Sequence, residues 1–221
     1  MIITIDGPSV SGKSTVARLV AERLKIYYLN TGLLFRAVAY ILHIRDQYTR
    51  MTIARVSEHE LHSIYFLYTY DSQAQERILF KTIDITPHLK NEEIDALSSI
   101  ISTLPYVRTY VNEIARAIVK SNDSVVDGRD AGTIMFPEAE YKFFLTAELT
   151  VRAERWIKDQ AEKSHIYTLE QAKNILIERD QRDSTRAIAP LVIPENAYVI
   201  DSTHMTLENV ITTIIDKVLK K

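Results

Sequence analysis

The chain has 221 residues, of which 46% are hydrophobic and 25% charged, a composition typical of a globular protein with a sizeable core. Its 27 Lys and Arg against 29 Asp and Glu give a net charge of −2, so neither nucleic acid nor membrane is expected as a partner. The lack of cysteine excludes disulfides, thiolate chemistry and cysteine zinc sites. No basic leader and no apolar stretch of about 18 residues is present, so a cytoplasmic location is expected.

Strands and helices are predicted to alternate along most of the chain. Short apolar runs that suit burial on both faces predict strands, and apolar residues at the 3.6-residue spacing predict helices. In chain order these are a strand at 2–5, a helix at 14–24, a strand at 27–29, a helix at 105–120, strands at 124–126 and 141–145, helices at 149–160 and 168–183, a strand at 198–200 and a helix at 206–219. The alternation predicts an α/β fold in which helices cover a parallel sheet.

Residues 60–90 depart from this alternation. Two short apolar runs at 65–70 and 78–80 flank the polar segment 71–75, a pattern that predicts a small hairpin inserted into the fold. No internal repeat, low-complexity tract or Pro/Gly linker interrupts the rest of the chain. We therefore expect a single domain over residues 1–221.

Glycine is scarce, and its few copies stand at the ends of predicted strands. Average usage would give roughly 15 glycines in a chain of this length. The sequence has 5, namely Gly7, Gly12, Gly32, Gly128 and Gly132. Glycine at such points indicates tight backbone turns or a close approach to a ligand.

The segment from Gly7 to Ser14 matches the phosphate-binding pattern G-x-x-x-x-G-K-[ST], between a predicted strand and a predicted helix. In that context backbone N–H groups and the positive end of the helix dipole would surround the phosphates of ATP. Lys13 would reach the β- and γ-phosphates, and the Ser14 hydroxyl would ligate Mg²⁺. The predicted ATP-binding residues are Gly7, Pro8, Ser9, Val10, Ser11, Gly12, Lys13, Ser14 and Thr15.

A P-loop indicates a nucleoside triphosphate but does not identify the reaction. The chain has neither the D-x-x-G and [NT]-K-x-D patterns of GTPase switches nor the Gly-Gly pair of an ABC-type ATPase signature. Among the P-loop classes considered, this leaves a kinase that acts on a small substrate. Such an enzyme needs a second anion site.

Arginines supply candidates for that second site. Arg36 follows the turn at Asn30-Thr31-Gly32, and Arg129 follows the third predicted strand of the sheet. Three more arginines on one predicted helix, at spacings of three, four and seven, are expected to share a face; they are Arg179, Arg182 and Arg186. Their like charges favour an anion between them, although neighbouring carboxylates could equally make this helix an ordinary salt-bridged surface.

Taken together, these segments resemble the bacterial cytidylate kinases over nearly the whole chain. The P-loop is shared by many families, whereas Asp127-Gly128-Arg129-Asp130-Ala131-Gly132-Thr133 and the R-D-x-R-D-x-x-R helix from Arg179 to Arg186 are specific. The resemblance implies a P-loop kinase three-layer fold with a five-stranded parallel sheet covered by helices, a monophosphate-binding insertion at about 60–100 and a short Arg-rich lid at about 155–186. It also implies a monomer that phosphorylates CMP and dCMP with ATP and Mg²⁺, in pyrimidine nucleotide salvage and recycling.

The resemblance further implies roles for single residues. Those expected to bind CMP are Thr31, Arg36, Ser99, Arg108, Arg129, Asp130, Arg179, Asp183 and Arg186. Among them Arg36, Arg129 and Arg186 would hold phosphates, Arg179 and Asp183 would contact the ribose, and Ser99, Arg108 and Asp130 would read cytosine. The expected catalytic residues are Lys13, Arg129, Arg182 and Arg186. Asp127, at the end of an apolar strand, would either reach Mg²⁺ through water or only fix the Gly128 turn.

Three residues depart from the family pattern. Val10, Asn30 and Phe35 stand where glycine or a small residue, aspartate and tyrosine are usual. Two alternatives therefore stay open: a kinase for another nucleotide or small phosphorylated acceptor, and a non-catalytic binding protein that has kept the fold. For the base site, the alternative is that Asp130 caps the Gly128–Gly132 turn and that Arg108 is a solvated helix residue.

Overall fold

A computed structural model describes residues 1–71, 75–162 and 165–220. The chain divides into two compact units, which we call the sheet unit (Met1–Asn30 and Ser121–Lys221) and the helical unit (Thr31–Lys120). Part of the predicted turn at 71–75, and two residues of the predicted lid, lie outside the described residues. The single domain, with its insertion at about 60–100 and its lid at about 155–186, stays a prediction.

The structure contains eight α-helices and eight strands within the described residues. In chain order they are β1 (Ile2–Asp6), α1 (Lys13–Leu24), β2 (Tyr27–Asn30), α2 (Thr31–Asp46), α3 (Glu58–His62), β3 (Leu67–Tyr70), β4 (Glu76–Phe80), β5 (Ile83–Asp84), α4 (Glu92–Ile101), α5 (Pro105–Val119), β6 (Ser124–Gly128), β7 (Tyr141–Thr146), α6 (Leu149–Ala161), α7 (Leu169–Thr185), β8 (Tyr198–Asp201) and α8 (Leu207–Leu219). Short 3₁₀ turns lie at Ile53–Arg55 and Thr86–His88, and a π-helical turn lies at Ala131–Met135. No helix within the described ranges is long and apolar enough to cross a membrane.

The sheet unit contains five parallel strands in the order β2-β6-β1-β7-β8. β1 and β6 are buried along almost their whole length. Their Ile and Val side chains suit burial on both faces of a parallel sheet. Asp6 at the end of β1 lies beside Gly128 at the end of β6. The loops that follow these two strands therefore leave the sheet at the same edge. The predicted parallel sheet of a P-loop kinase fold is confirmed.

Helices α1 and α8 pack in one core with the strands of this sheet. Val16 and Val20 of α1 and Ile211 and Ile214 of α8 are buried in one cluster with Phe143 of β7. Their spacing of three or four residues places each pair on one side of its helix. Burying each such side chain contributes about 1.5–3 kcal/mol. This core anchors α1, whose N-terminus follows the P-loop.

Helices α6 and α7 form a second, smaller packing centre in the sheet unit. Trp156 of α6 packs there with Ala172 and Leu176 of α7. A capping box begins α7, because the Thr168 side chain accepts from the Gln171 N–H and the Gln171 side chain accepts from the Thr168 N–H. This pair of helices carries most of the predicted lid.

In the helical unit, α2 packs against α4 and α5. Its apolar face includes Leu34, Ile41 and Leu42, which are fully buried. β3 and β4 pair antiparallel, so the predicted hairpin is confirmed, and β5 adds a third strand to it. Helices α2, α3 and α4 and strand β5 were not among the predicted elements.

Candidate active site

The P-loop turns sharply at both of its glycines. Gly12 has φ +89°, a left-handed conformation that glycine adopts without steric cost. A Cβ on Gly7 would lie 2.1 Å from the carbonyl oxygen of Leu145, so only a hydrogen fits there. The loop leads directly into α1, whose first residue is Lys13.

Lys13 is buried in the P-loop, with only 6% of its surface exposed. Its Nζ donates to the carbonyl oxygen of Pro8 at 3.0 Å. Burial, together with the nearby positive charge of Arg129, lowers the pKa of Lys13 to about 7, against the opposing effects of Asp127 and Asp183. An anion at this point would restore the proton and the positive charge.

Asp127 lies next to the start of α1 and accepts two hydrogen bonds. The Ser14 hydroxyl donates to its Oδ2 at 2.5 Å, and the Tyr28 hydroxyl donates to its Oδ1 at 3.0 Å. Burial raises the pKa of this carboxyl group. A hydroxyl and a carboxylate oxygen are ligand types that suit Mg²⁺, so Ser14 and Asp127 fit the predicted ion. The described part of the chain contains no cluster of three or more His, Cys, Asp or Glu side chains that could hold a metal.

Asp6 joins the end of β1 to the segment after β6. It is fully buried, and its carboxylate accepts from the backbone N–H groups of Ala131 at 2.8 Å and Gly132 at 2.7 Å. Burial raises the pKa of Asp6 to about 6, although these two N–H groups lower it. The contact holds the π-helical turn that directly follows Arg129 and Asp130. Asp6 was not among the predicted site residues, although a carboxylate ending an apolar strand was a usable signal.

Two ion pairs connect the segment after β6 to α7 and the residue that follows it. Arg129 donates through Nε to Asp183 at 2.7 Å and through Nη2 to the Ser9 hydroxyl at 3.2 Å. Arg186 pairs with Asp130 at 3.2 Å, and the side chains of both are almost fully buried. Burial raises the pKa of Asp183, but Arg129 outweighs this effect, so its pKa lies below the usual value. Asp130 precedes the π-helical turn, but its side chain makes no capping hydrogen bond to that turn and instead forms an ion pair with Arg186.

The three predicted lid arginines differ in their surroundings. Burial and the positive charge of Arg129 lower the pKa of Arg179, which places Arg179 near the cluster of Arg129 and Asp183. Arg182 is exposed, and its Nε donates to the carbonyl oxygen of Glu178 at 3.3 Å. The structure thus brings Arg129, Asp130, Arg179, Asp183 and Arg186 together near the P-loop, but places Arg182 on the outer face. The catalytic role of Arg182 stays a prediction.

Four predicted CMP-binding residues lie in the helical unit: Thr31, Arg36, Ser99 and Arg108. Thr31 is buried at the start of α2. Arg36 forms an ion pair with Asp95 of α4 and donates to the carbonyl oxygen of Leu89 at 3.2 Å. Ser99 is half-buried and lies one helical turn after Asp95 on α4. These contacts place Arg36 against α4.

Arg108 is a buried residue of α5, with 3% of its surface exposed. Its Nη1 donates to the carbonyl oxygen of Ser102 at 2.9 Å, and its guanidinium lies 5.2 Å from the centre of the Phe35 ring. The alternative that Arg108 is a solvated helix residue is therefore wrong. A buried cation stacked on an aromatic ring is held in a defined position.

Two residues that contact the P-loop were not among the predicted site residues. Arg152 of α6 and Asp180 of α7 both bind the backbone of Ser9. No spacing along the sequence connects them, since Arg152 is 143 residues from Ser9. Only the packing of α6 and α7 brings them to the loop.

The loop between the first strand and the first helix, which ends in Lys13 and Ser14, is the P-loop of a nucleoside-triphosphate-binding protein. The family model for cytidylate kinase matches residues 3–220, and the chain belongs to this family. The cytidylate kinase of Thermotoga petrophila is 38% identical over 218 residues, covering 99% of this chain and 94% of its own length. That of Chlamydia felis is 38% identical, covering 97% of this chain and 96% of its own.

One solved structure supports the fold alone. An uncharacterized protein from Eubacterium ventriosum superimposes with a TM-score of 0.55 at 13% identity. The match covers 100% of this chain and 99% of that protein.

Proposed function

We propose that this chain is a kinase that transfers the γ-phosphate of ATP to CMP and dCMP, producing ADP and the corresponding diphosphates. The observation that carries the proposal is the family match over residues 3–220. The relatives named cytidylate kinase align with nearly the full length of the chain. The reaction belongs to pyrimidine nucleotide salvage and recycling.

The P-loop is proposed to bind the donor. Its backbone N–H groups and the N-terminus of α1 would hold the phosphates of ATP, and Lys13 would neutralise the β- and γ-phosphates. Ser14, with Asp127 acting through water, would hold Mg²⁺, which neutralises charge on the phosphates when bound. The support is local: Lys13 is buried at the loop, and Ser14 donates to Asp127 at 2.5 Å.

The residues proposed to bind the acceptor are mostly charged. Arg36, Arg129 and Arg186, which now form ion pairs with carboxylates, would hold its phosphate. Arg179 and Asp183 would contact the ribose. Thr31 would complete the acceptor set, and Ser99, Arg108 and Asp130 would read the base. The ion pairs that these arginines form now would be exchanged for contacts with phosphate.

Catalysis is proposed to depend on positioning and charge neutralisation. The acceptor is itself a phosphate with a second pKa near 6, so its oxygen is a ready nucleophile at neutral pH without a general base. Lys13 and the arginines would stabilise the charge on the transferred group. A closed lid would exclude water and prevent futile hydrolysis of ATP.

We also propose that the enzyme works in the cytoplasm, because its proposed substrates ATP and CMP are cytoplasmic metabolites. The predicted monomeric state stays a prediction.

An acceptor panel tests the proposal. ADP release would be measured with ATP, Mg²⁺ and either CMP, dCMP, UMP, AMP or shikimate, and a reaction without acceptor would give the background. We expect turnover with CMP and dCMP far above the background. Preference for AMP or shikimate would reassign the acceptor, and ATP binding without turnover on any acceptor would indicate a non-catalytic protein.

A further inference from the structure

Ser9 is held at each of its polar groups by a charged side chain. Its N–H donates to Asp180 at 2.9 Å, its carbonyl oxygen accepts from Arg152 at 3.0 Å, and its hydroxyl accepts from Arg129 at 3.2 Å. Arg152 also forms an ion pair with Asp180, which closes the ring of contacts. We call Arg152, Asp180 and the Ser9 backbone the Ser9 clamp.

Arg152 is the buried member of the clamp, whereas Asp180 is partly exposed. Arg152 is 8% exposed and donates to Ala147 and Ser9 carbonyl oxygens, each at 3.0 Å, as well as to Asp180. Arg152 reaches these acceptors from two nitrogens, Nε and Nη1, whereas the donors of a lysine all lie on one terminal nitrogen. Removing one partner of a buried ion pair is costly, because the other charge stays buried without compensation.

The apolar neighbour of Ser9 strengthens the same attachment. Val10 packs against the cluster of Trp156 and Leu176 that joins α6 to α7. It does so with φ +58°, a left-handed conformation that is unfavourable for a β-branched residue. The P-loop is thus attached to the lid helices by polar contacts at Ser9 and by apolar contacts at Val10.

We propose that Arg152 and Asp180 are positioning residues of the phosphoryl transfer, which hold the P-loop and α7 in register through Ser9. Asp180 adjoins Arg179 and precedes Asp183 by one helical turn. Fixing Asp180 to Ser9 therefore sets where these groups stand relative to the loop that binds the transferred phosphate. The inference rests on the proposed kinase function.

The first test compares two carboxyl-to-amide changes on α7. Asp180→Asn leaves an amide facing Arg152, whereas Glu178→Gln makes the same change at an exposed residue two positions away. We expect Asp180→Asn to lower kcat by about 10–100-fold, because small misplacements of reacting groups have effects of that size. The KM values for ATP and CMP should stay within about threefold, and Glu178→Gln should match the wild type. A kcat within twofold of wild type for Asp180→Asn would overturn the proposal.

The second test asks whether the two residues act as one unit. Arg152→Lys keeps the positive charge but has no donor at the position of Nε, which contacts the Ala147 carbonyl oxygen, so we expect the same fall in kcat with little change in KM. The kcat of the double variant should be no lower than that of the more impaired single variant. Losses that multiply would overturn a shared clamp. If Asp180→Asn fails to fold, Arg152→Lys alone decides: a kcat within twofold of wild type overturns the proposal.

A third readout does not depend on the acceptor. Trp156 is the only tryptophan of the chain and packs between α6 and α7, so its emission reports on their packing. We expect a changed emission spectrum for Asp180→Asn and an unchanged one for Glu178→Gln. If the wild type does not phosphorylate CMP, the proposed function fails. Unchanged Trp156 emission in Asp180→Asn would then overturn the clamp separately.

Discussion

Lys13 combines a phosphate-binding position with an unusual protonation state. Because burial and Arg129 hold its pKa at about 7, most of the ligand-free protein has a neutral Lys13 at pH 8. The phosphates of ATP favour the charged form, so binding at pH 8 should take up close to one proton. For the same reason, affinity for ATP should weaken as the pH rises above about 7.

Calorimetry measures this proton uptake directly. Binding of ATP with Mg²⁺ at pH 8 would be titrated in HEPES and in Tris, whose ionisation enthalpies differ. The observed heats should differ between the buffers for the wild type and agree for Lys13→Met, which has no proton to take up. Equal heats in the two buffers for the wild type would contradict the low pKa of Lys13.

Single residues were predicted unevenly from the sequence. The P-loop lysine follows from a local pattern, because eight consecutive residues define the loop. Arg182 shows the limit of helical spacing, since it lies three residues from Arg179 yet points to solvent. Spacing alone does not identify which side of a helix faces the site when charges occupy both sides.

At the scale of elements, helix α2 contains two arginines that form similar ion pairs, so one can serve as the control for the other. Arg36 pairs with Asp95, and Arg45 near the end of the same helix pairs with Asp46. Their side chains are similarly exposed, 22% and 25%. Only Arg36 is proposed to bind the acceptor phosphate.

Arg36→Ala should weaken CMP binding by about 2–4 kcal/mol, as expected for a charge-assisted phosphate contact, and leave ATP binding unchanged. Arg45→Ala should leave both affinities at the wild-type level. Equilibrium titrations with each nucleotide give the comparison. An equal loss of ATP and CMP affinity in Arg36→Ala would assign Arg36 to the donor site.

Phe35 connects α2 to α5 through its contact with Arg108. The ring faces the guanidinium at 5.2 Å, an interaction that contributes about 0.5–2 kcal/mol. Phe35→Leu should therefore raise the KM for CMP without changing that for ATP. Phe66→Leu is the matched control, because Phe66 is equally buried, at 8%, in the same unit. A KM for CMP unchanged in Phe35→Leu would show that Arg108 does not depend on the ring.

Elements with a strong apolar pattern were predicted well, and those without one were not. The sheet strands are short and apolar, so the sequence pattern located them to within one or two residues. The predicted burial on both faces holds for β1 and β6 but is wrong for β8, an edge strand with three of its four residues exposed. β5 has two residues and no pattern of its own, and it exists only because it pairs with β4. The π-helical turn Ala131–Met135 is likewise held by the distant Asp6.

On the scale of the whole molecule, contacts between distant segments were beyond sequence reasoning. Asp6 lies 125 residues from Ala131, and Ser9 lies 171 residues from Asp180. Nothing in the local pattern of either partner indicates the other. The resemblance supplied the candidate residues, whereas their ion pairs follow only from the packing of the sheet unit.

The choice of cytosine as the base is the central claim. Asp130 would accept from the N4 amino group, and Arg108 would donate to N3 and O2. Uracil presents the opposite groups at two of these positions, so it would leave buried charges unpaired and should be rejected strongly. Because Asp130 also pairs with Arg186, loss of Asp130 could instead act through that arginine alone.

The deciding measurement is the ratio of kcat/KM for CMP to that for UMP. It would be determined for the wild type, Asp130→Ala and Arg108→Ala, with Arg45→Ala as a control on the surface of the helical unit. The wild type should strongly prefer CMP, and the ratio should collapse in both site variants while the UMP value changes little. A wild type without preference for CMP, or a parallel fall of both values that preserves the ratio, would contradict the claim.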